Sequence, residues 1–358
     1  MIDGFVTLPA LAIGAFFTVS FFIDPSTIVV DKIDVPGAME DKGYNGEVTA
    51  ERFSDALAHI AESAGTNRGN LVSEERARAK SVEALTDWFG FARPIRAAQV
   101  ALGFLPYTFA GEVVEDKDKL FLHVRGQSPS FYHFEIVSEG TIADPDGMIE
   151  DAAFKLMRHI DPYMLAVYHF RRDFRTKDFT QTFKELDHCL VAAPKEQIPW
   201  VYALWGHALF RLGKNEQAII KYRQAMLLDP TFPRPMMRWG EVLASEGKHD
   251  EAINRFKKTL EIEPRYPEAL VFWAKSLEAK GDLATARSKY EDAAHMAPDF
   301  ARVRHSYGKF LESQGENLSA QIEFRKAYDL DRGKKSYTQS LRRIQRKIDP
   351  ALSEIAPL

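Results

Sequence analysis

One cysteine, Cys189, stands among 358 residues, so no intrachain disulfide framework staples this chain. It falls in a small slot of a helical pattern and reads as core packing. Charge of one sign is missing too. The 47 basic and 51 acidic residues leave a net charge of −4, which excludes a bulk electrostatic pull toward nucleic acid. The ten histidines have no H-E-x-x-H or C-x-x-C context for zinc, and His123 and His133 read as structural strand residues. No Walker loop or G-x-G-x-x-G offers a backbone cradle for phosphate. Gly126-Gln-Ser-Pro-Ser130 opens like a nucleophile elbow but lacks the closing glycine, and Pro129 spoils the helix that must follow. Asp144-Pro-Asp-Gly147 opens like a calcium loop without its later acidic ligand, and Asp146 as a helix N-cap accounts for it. We therefore expect no catalytic residue, no metal and no cofactor, and no enzyme.

A long apolar run, by contrast, is present. Residues 5–23 are uncharged, and at about 1.5 Å per residue such a helix reaches roughly 28 Å, close to the hydrocarbon thickness of a bilayer. Its Phe, Val, Leu and Ile residues each favour insertion by about 0.3–0.6 kcal/mol. It lacks a basic n-region and a small-x-small cleavage site, so an uncleaved single-pass anchor over residues 1–25 is expected. Lys32 and Lys42 are diluted among Asp24, Asp31, Asp34, Glu40 and Asp41. We expect the large C-terminal body on the periplasmic, extracytoplasmic side.

Residues 26–160 change to a mixed pattern. Thr27–Val35 reads as a strand, and Thr49–Ala64 as an amphipathic helix with Thr49 as its N-cap. A second helical region starts at Ser73. Tyr107–Val114 and Leu120–Arg125 read as strands joined by the charged tip 115–119, and Ser130–Val137 as a third. A helix follows through about His159. The order suggests a small α+β domain with helices on a short sheet. It resembles the amino-terminal domain of the TolB family of the Tol system, with Gly111-Glu-Val113 in the place of that family's G-x-V hairpin strand. The resemblance implies an architecture found in bacterial envelope proteins and carries no site residue over.

The remaining sequence repeats every 34 residues. Trp205, Trp239, Trp273 and Tyr307 are in step with Leu209, Leu243, Leu277 and Leu311, and with Gly213, Gly247, Gly281 and Gly315. Ala218, Ala252, Ala286 and Ala320 keep the same phase, as do Tyr222, Phe256, Tyr290 and Phe324; Pro230, Pro264 and Pro298 close three units. Each unit holds two helical stretches split by a Gly turn and stopped by proline. Such a pair cannot bury its apolar face alone, so neighbours stack into a continuous core. The pattern resembles the tetratricopeptide repeat. We read four units over 199–332, a degenerate first unit over 161–198 through Thr182, Leu186, Cys189 and Pro194, and a capping helix and tail over 333–358. The expected fold is thus a small α+β domain followed by an all-α solenoid, with an N-terminal transmembrane helix.

The family resemblance implies a concave groove lined by the first helix of each unit. Carried onto this chain, the lining residues are Trp200, His207, Phe210, Arg211, Arg234, Met237 and Glu241, then Lys275, Glu278, Arg302, His305 and Lys309. This mixed surface suits a protein or peptide partner with acidic and apolar residues. No first helix from 199 to 332 carries the Asn of the family's terminal-carboxylate clamp. The expected function is a membrane-anchored adaptor or scaffold. The alternative is a ligand-sensing or enzymatic domain over 26–160, with the repeats in a regulatory role.

Overall fold

The computed structural model describes residues 28–65, 107–128 and 131–349, and the chain divides into two compact units, Met1–Ala193 and Pro194–Leu358. The apolar run 5–23 and the helical region expected from Ser73 lie outside the described residues. Among the described residues no helix is long and apolar enough to cross a membrane.

In the first unit, β1 (Ile28–Asp34) leads to α1 (Gly37–Glu40) and α2 (Gly46–Ala64). Strands β2 (Tyr107–Asp116), β3 (Lys119–Ser128) and β4 (Phe131–Thr141) precede α3 (Pro145–Ile160), α4 (Pro162–Thr176) and α5 (Thr180–Ala192). The sheet order is β1-β2-β3-β4, with β1 parallel to β2 and the other pairs antiparallel. Side chains alternate across a strand, and Phe109, Leu120, Leu122 and Val124 all point to one core. They pack with Phe53, Leu57 and Ile60 of α2 and with Met148, Ala152 and Leu156 of α3. Across the sheet the surface is wet: Arg125 pairs with Glu112 at 2.9 Å and with Glu135 at 3.0 Å. A sheet covered on one face only needs this apolar-in, polar-out alternation.

Local chemistry moves three expected boundaries. The charged tip is shorter than 115–119, because Asp116 still pairs with Lys119 and the turn is closed by Lys117 at φ 58°. Charged side chains on an exposed hairpin project into water, so they do not interrupt the ladder. The N-cap of α2 is Asn45, whose side chain accepts from the backbone N–H of Glu47 and Val48 at 3.0 and 2.9 Å. Thr49 is instead fully buried one turn on, its hydroxyl donating to the Asn45 carbonyl. Asp144, not Asp146, caps α3 by accepting from Gly147 N–H at 3.0 Å, with Pro145 at the first helical position. Asp146 pairs with Arg52 at 2.8 Å. The helix pair α4–α5 is joined at Asp173, which accepts from the Thr182 N–H at 3.2 Å and hydroxyl at 2.8 Å.

The second unit alternates first and second helices: α6 (Ile198–Arg211) and α7 (Asn215–Leu228), α8 (Pro233–Ser245) and α9 (His249–Ile262). Then come α10 (Pro267–Ala279) and α11 (Leu283–Met296), α12 (Ala301–Ser313) and α13 (Asn317–Leu330), and finally α14 (Lys335–Ile348). Gly213, Gly247, Gly281 and Gly315 end the first helices at φ from 73° to 84°, where an L side chain is strained. Within each pair the buried alanine column meets the ring column, with Tyr222, Phe256, Tyr290 and Phe324 at most 1% exposed. The rings close on a further column that keeps the same period. A β-carbon on Gly206, Gly240 or Gly308 would lie 2.5, 2.5 or 2.7 Å from the ring of Tyr222, Phe256 or Phe324. Ala274 holds this place in the third unit.

The tryptophan column is the flank of each pair. Lys221 lies over Trp205 at 4.1 Å, Arg255 over Trp239 at 3.7 Å and Lys289 over Trp273 at 5.3 Å. In the fourth unit Tyr307 donates its hydroxyl to Glu291 at 3.0 Å.

Candidate functional site

Consecutive first helices touch, α6 with α8, α8 with α10 and α10 with α12, whereas second helices of neighbouring units do not meet to that extent. The closer layer of a stacked array is its inner one, so the first helices form the concave row. The expected groove residues occupy the second, fifth, ninth, twelfth and thirteenth places of each unit, counted from Pro199 in the first.

The fifth place does not face the groove. Ala203, Met237, Val271 and His305 are 5, 3, 5 and 8% exposed. This column fills the seam between neighbouring first helices, where close packing leaves no room for solvent. Met237 belongs to the apolar cluster with Phe256 and Ala269. His305 is covered by α14: its ring lies 4.7 Å from that of Tyr337, and its Nε2 is 2.9 Å from the Ser340 hydroxyl. Burial first, then the cations Lys309, Arg343 and Lys275, push its pKa down to about 4. Met237 and His305 are therefore corrected to packing residues.

The first two units make an aromatic end. Trp200 is 38% exposed and packs on Phe232 at 4.3 Å between ring centres. The exposed Arg234 lies over the Trp200 ring at 5.3 Å. His207 is half-buried, and its pKa is pushed down to about 2 by burial, then by Arg238, Arg211 and Arg234. It stays neutral and apolar in character beside Phe210, which is also half-buried. Arg211 is exposed at the end of α6. Glu241 is held by Arg238 at 2.5 Å.

The third and fourth units make a cationic end. Arg302 pairs with Glu268 at 2.6 Å across one repeat period, and Arg343 of α14 pairs with Glu312 at 2.5 Å. Glu278 accepts from the Tyr290 hydroxyl at 3.2 Å. Lys275 and Lys309 are exposed and have no acidic partner among the described residues. Desolvation lowers the pKa of the Lys275 ammonium, and Lys309 and Arg302 lower it further, offset in part by Glu241 and Glu278. Glu268, Arg238, Glu312 and Arg343 were absent from the expected set. Three of them were in phase: Glu268 is one period from Arg234, Glu312 from Glu278, and Arg343 from Lys309. Arg238 gave no such signal.

Elsewhere, no three His, Cys, Asp or Glu side chains cluster as metal ligands among the described residues. Burial pushes the Cys189 thiol up to about 12, so it carries no thiolate at neutral pH.

Family models of the tetratricopeptide repeat match residues 201–232 and 243–304. No match was found among curated proteins. A thermophilic protein of this repeat type from Thermus thermophilus is 19% identical, over 42% of this chain and 83% of its own, with a TM-score of 0.38. The Cut9–Hcn1 structure of the anaphase-promoting complex is 14% identical over 56% of this chain and 40% of its own, at a TM-score of 0.45. MamA of Desulfovibrio magneticus is 17% identical over 49% of this chain and 99% of its own, at 0.35.

Proposed function

Because this chain is a tetratricopeptide-repeat protein, we propose that it is an adaptor whose row of first helices holds a peptide segment of a partner protein. One observation carries this reading. The row keeps Trp200, Arg234, Lys275 and Lys309 open to solvent on helices whose other sides are committed to the core. Tryptophan and arginine are the residue types that most often dominate binding energy. Such a row binds by adding contacts from several repeats to one ligand.

Display of a random peptide library against the full chain tests this. Peptides selected on the chain should bind the Trp200→Ala/Arg234→Ala variant at least about tenfold more weakly, roughly 1.4 kcal/mol. Lys258→Ala, an exposed position on α9, should leave binding unchanged. Equal loss in both variants, or no loss in either, would sink the reading.

The remaining part of the proposal rests on sequence. Residues 5–23 anchor the adaptor in a membrane, with the body outside the cytoplasm. Carbonate extraction of the full chain and protease protection in spheroplasts test the two halves of that statement. Release by carbonate would remove the anchor, and protection of the body from external protease in intact spheroplasts would reverse the orientation.

A further inference from the structure

The ninth place of successive units reads His207, Glu241, Lys275, Lys309 and, on α14, Arg343. Helix α14 fills the slot of a fifth first helix. Its Tyr337 and Ser340 sit on His305 of α12, and its Arg343 reaches back to Glu312 of α12. The helix that closes the array therefore also lengthens the groove, and three cations follow one another at one repeat period.

We propose that Lys275 and Lys309 seat an extended acidic peptide whose carboxylates lie three residues apart, with Arg343, held by Glu312, at the end of the row. The inference rests on the peptide-groove reading and names the chemistry of the ligand. Its first support is the pairing pattern. Around the row, Arg238, Arg302 and Arg343 each have an acidic partner. Glu268, Glu312 and Glu241 are used in those same pairs, and among the described residues no carboxylate lies within ion-pair distance of Lys275 or Lys309. Glu241 and Glu278 act on Lys275 only from farther away. Lys275 has the further cations Lys309 and Arg302 near it, so an anion arriving there relieves repulsion as well as gaining attraction. His305 is buried and its Nε2 is engaged with Ser340, so it offers the ligand no charge.

The spacing follows from geometry. Packed helices stand about 8–10 Å apart, and α10 and α12 are in contact, so a step of that order is expected between equivalent places such as those of the two lysines. A polyproline II segment rises about 3.1 Å per residue with three residues per turn. Side chains three apart thus point the same way at a step of about 9 Å, matching the row. Adjacent acids would crowd one lysine, and in a helical ligand the same step would need acids about six or seven residues apart at about 1.5 Å per residue.

The test is the peptide selection above, repeated on a Lys275→Glu/Lys309→Glu variant of the full chain, with folding checked by thermal melts. On the unmodified chain the selected peptides should carry two Asp or Glu three residues apart. Moving one acid next to the other, at constant composition, should weaken binding at least about fivefold by fluorescence polarisation, and the reversal variant should weaken it about tenfold or more. Peptides that depend on Trp200 and Arg234 yet carry no such acids, or ignore the reversal, overturn the inference and leave the groove reading standing. Peptides indifferent to all groove substitutions overturn both. A third arm uses phosphatidylglycerol-containing vesicles. Vesicle binding that requires Lys309 and displaces the peptides would assign the row to anionic lipid and overturn the inference.

Discussion

On the side of α6, α8, α10 and α12 that meets a second helix, residues one period apart are nearly interchangeable: Gly206, Gly240, Ala274 and Gly308, against Tyr222, Phe256, Tyr290 and Phe324. On the opposite side His207, Glu241, Lys275 and Lys309 share a place and little else. The difference has a packing cause. A ring closing on a helix backbone leaves room for hydrogen, or at most a methyl, and every unit faces the same constraint. The groove face meets water, where any side chain is tolerated and each can differ. Repetition thus marks the residues that hold the array, and departure from it marks those that can distinguish one partner from another.

The largest test of this contrast lies in the repetitive column. Tyr290→Ala removes a ring that is 1% exposed, and its hydroxyl's contact with Glu278. Urea unfolding should show a loss of about 3–5 kcal/mol. A loss under about 1 kcal/mol would mean the ring is not the packing element described.

His305 is the place where a groove position has joined the core, so acid should reveal it. Its folded-state pKa of about 4 lies below the ordinary value near 6.5. The unfolded chain therefore takes up the proton first, and stability falls as pH drops from about 6.5 toward 4, levelling off below. The expected loss is up to about 3 kcal/mol. Urea unfolding at several pH values should show a gap between the unmodified chain and His305→Gln that narrows or changes sign over this range. A gap that does not move with pH would place His305 in contact with water.

Gly240→Val forces a branched side chain where a β-carbon alone would lie 2.5 Å from the Phe256 ring. Overpacking should cost about 1–3 kcal/mol. Lys309→Glu should sit at the other extreme, within about 0.5 kcal/mol of the unmodified chain, since no partner is broken. If thermal melts gave these two substitutions equal effects, the comparison between the faces would collapse.

Much of the array was legible because a repeat contacts only its neighbours, so its core columns must recur in the sequence. The glycine column keeps the same period, but a glycine within a helix marks a close approach only once the ring opposite it is known. The candidate site was legible as a set of places and not as a set of exposures. The family pattern names the fifth place of each first helix, but only stacking shows that Met237 and His305 are spent on the seam between helices. Ion pairs between units, such as Arg302 with Glu268, depend on which long side chains reach each other across that seam. Arg238 and Glu241 differ: they stand three residues apart on one helix, a spacing that by itself puts the two side chains within reach.

By itself the sequence determined the period, the helix ends at the αL glycines and prolines, the alanine and ring columns, and the presence of short strands with one wet face. These are local or nearest-neighbour matters, and side-chain periodicity is enough to express them. Tertiary structure alone decided that β1 lies parallel to β2, joining Ile28–Asp34 to a strand that begins at Tyr107. It also decided that α14 packs onto α12 and buries His305 against Tyr337 and Ser340, although the period already put Arg343 in phase with Lys309. Both outcomes depend on which surfaces come together through space, and no spacing along the chain encodes a distance between surfaces.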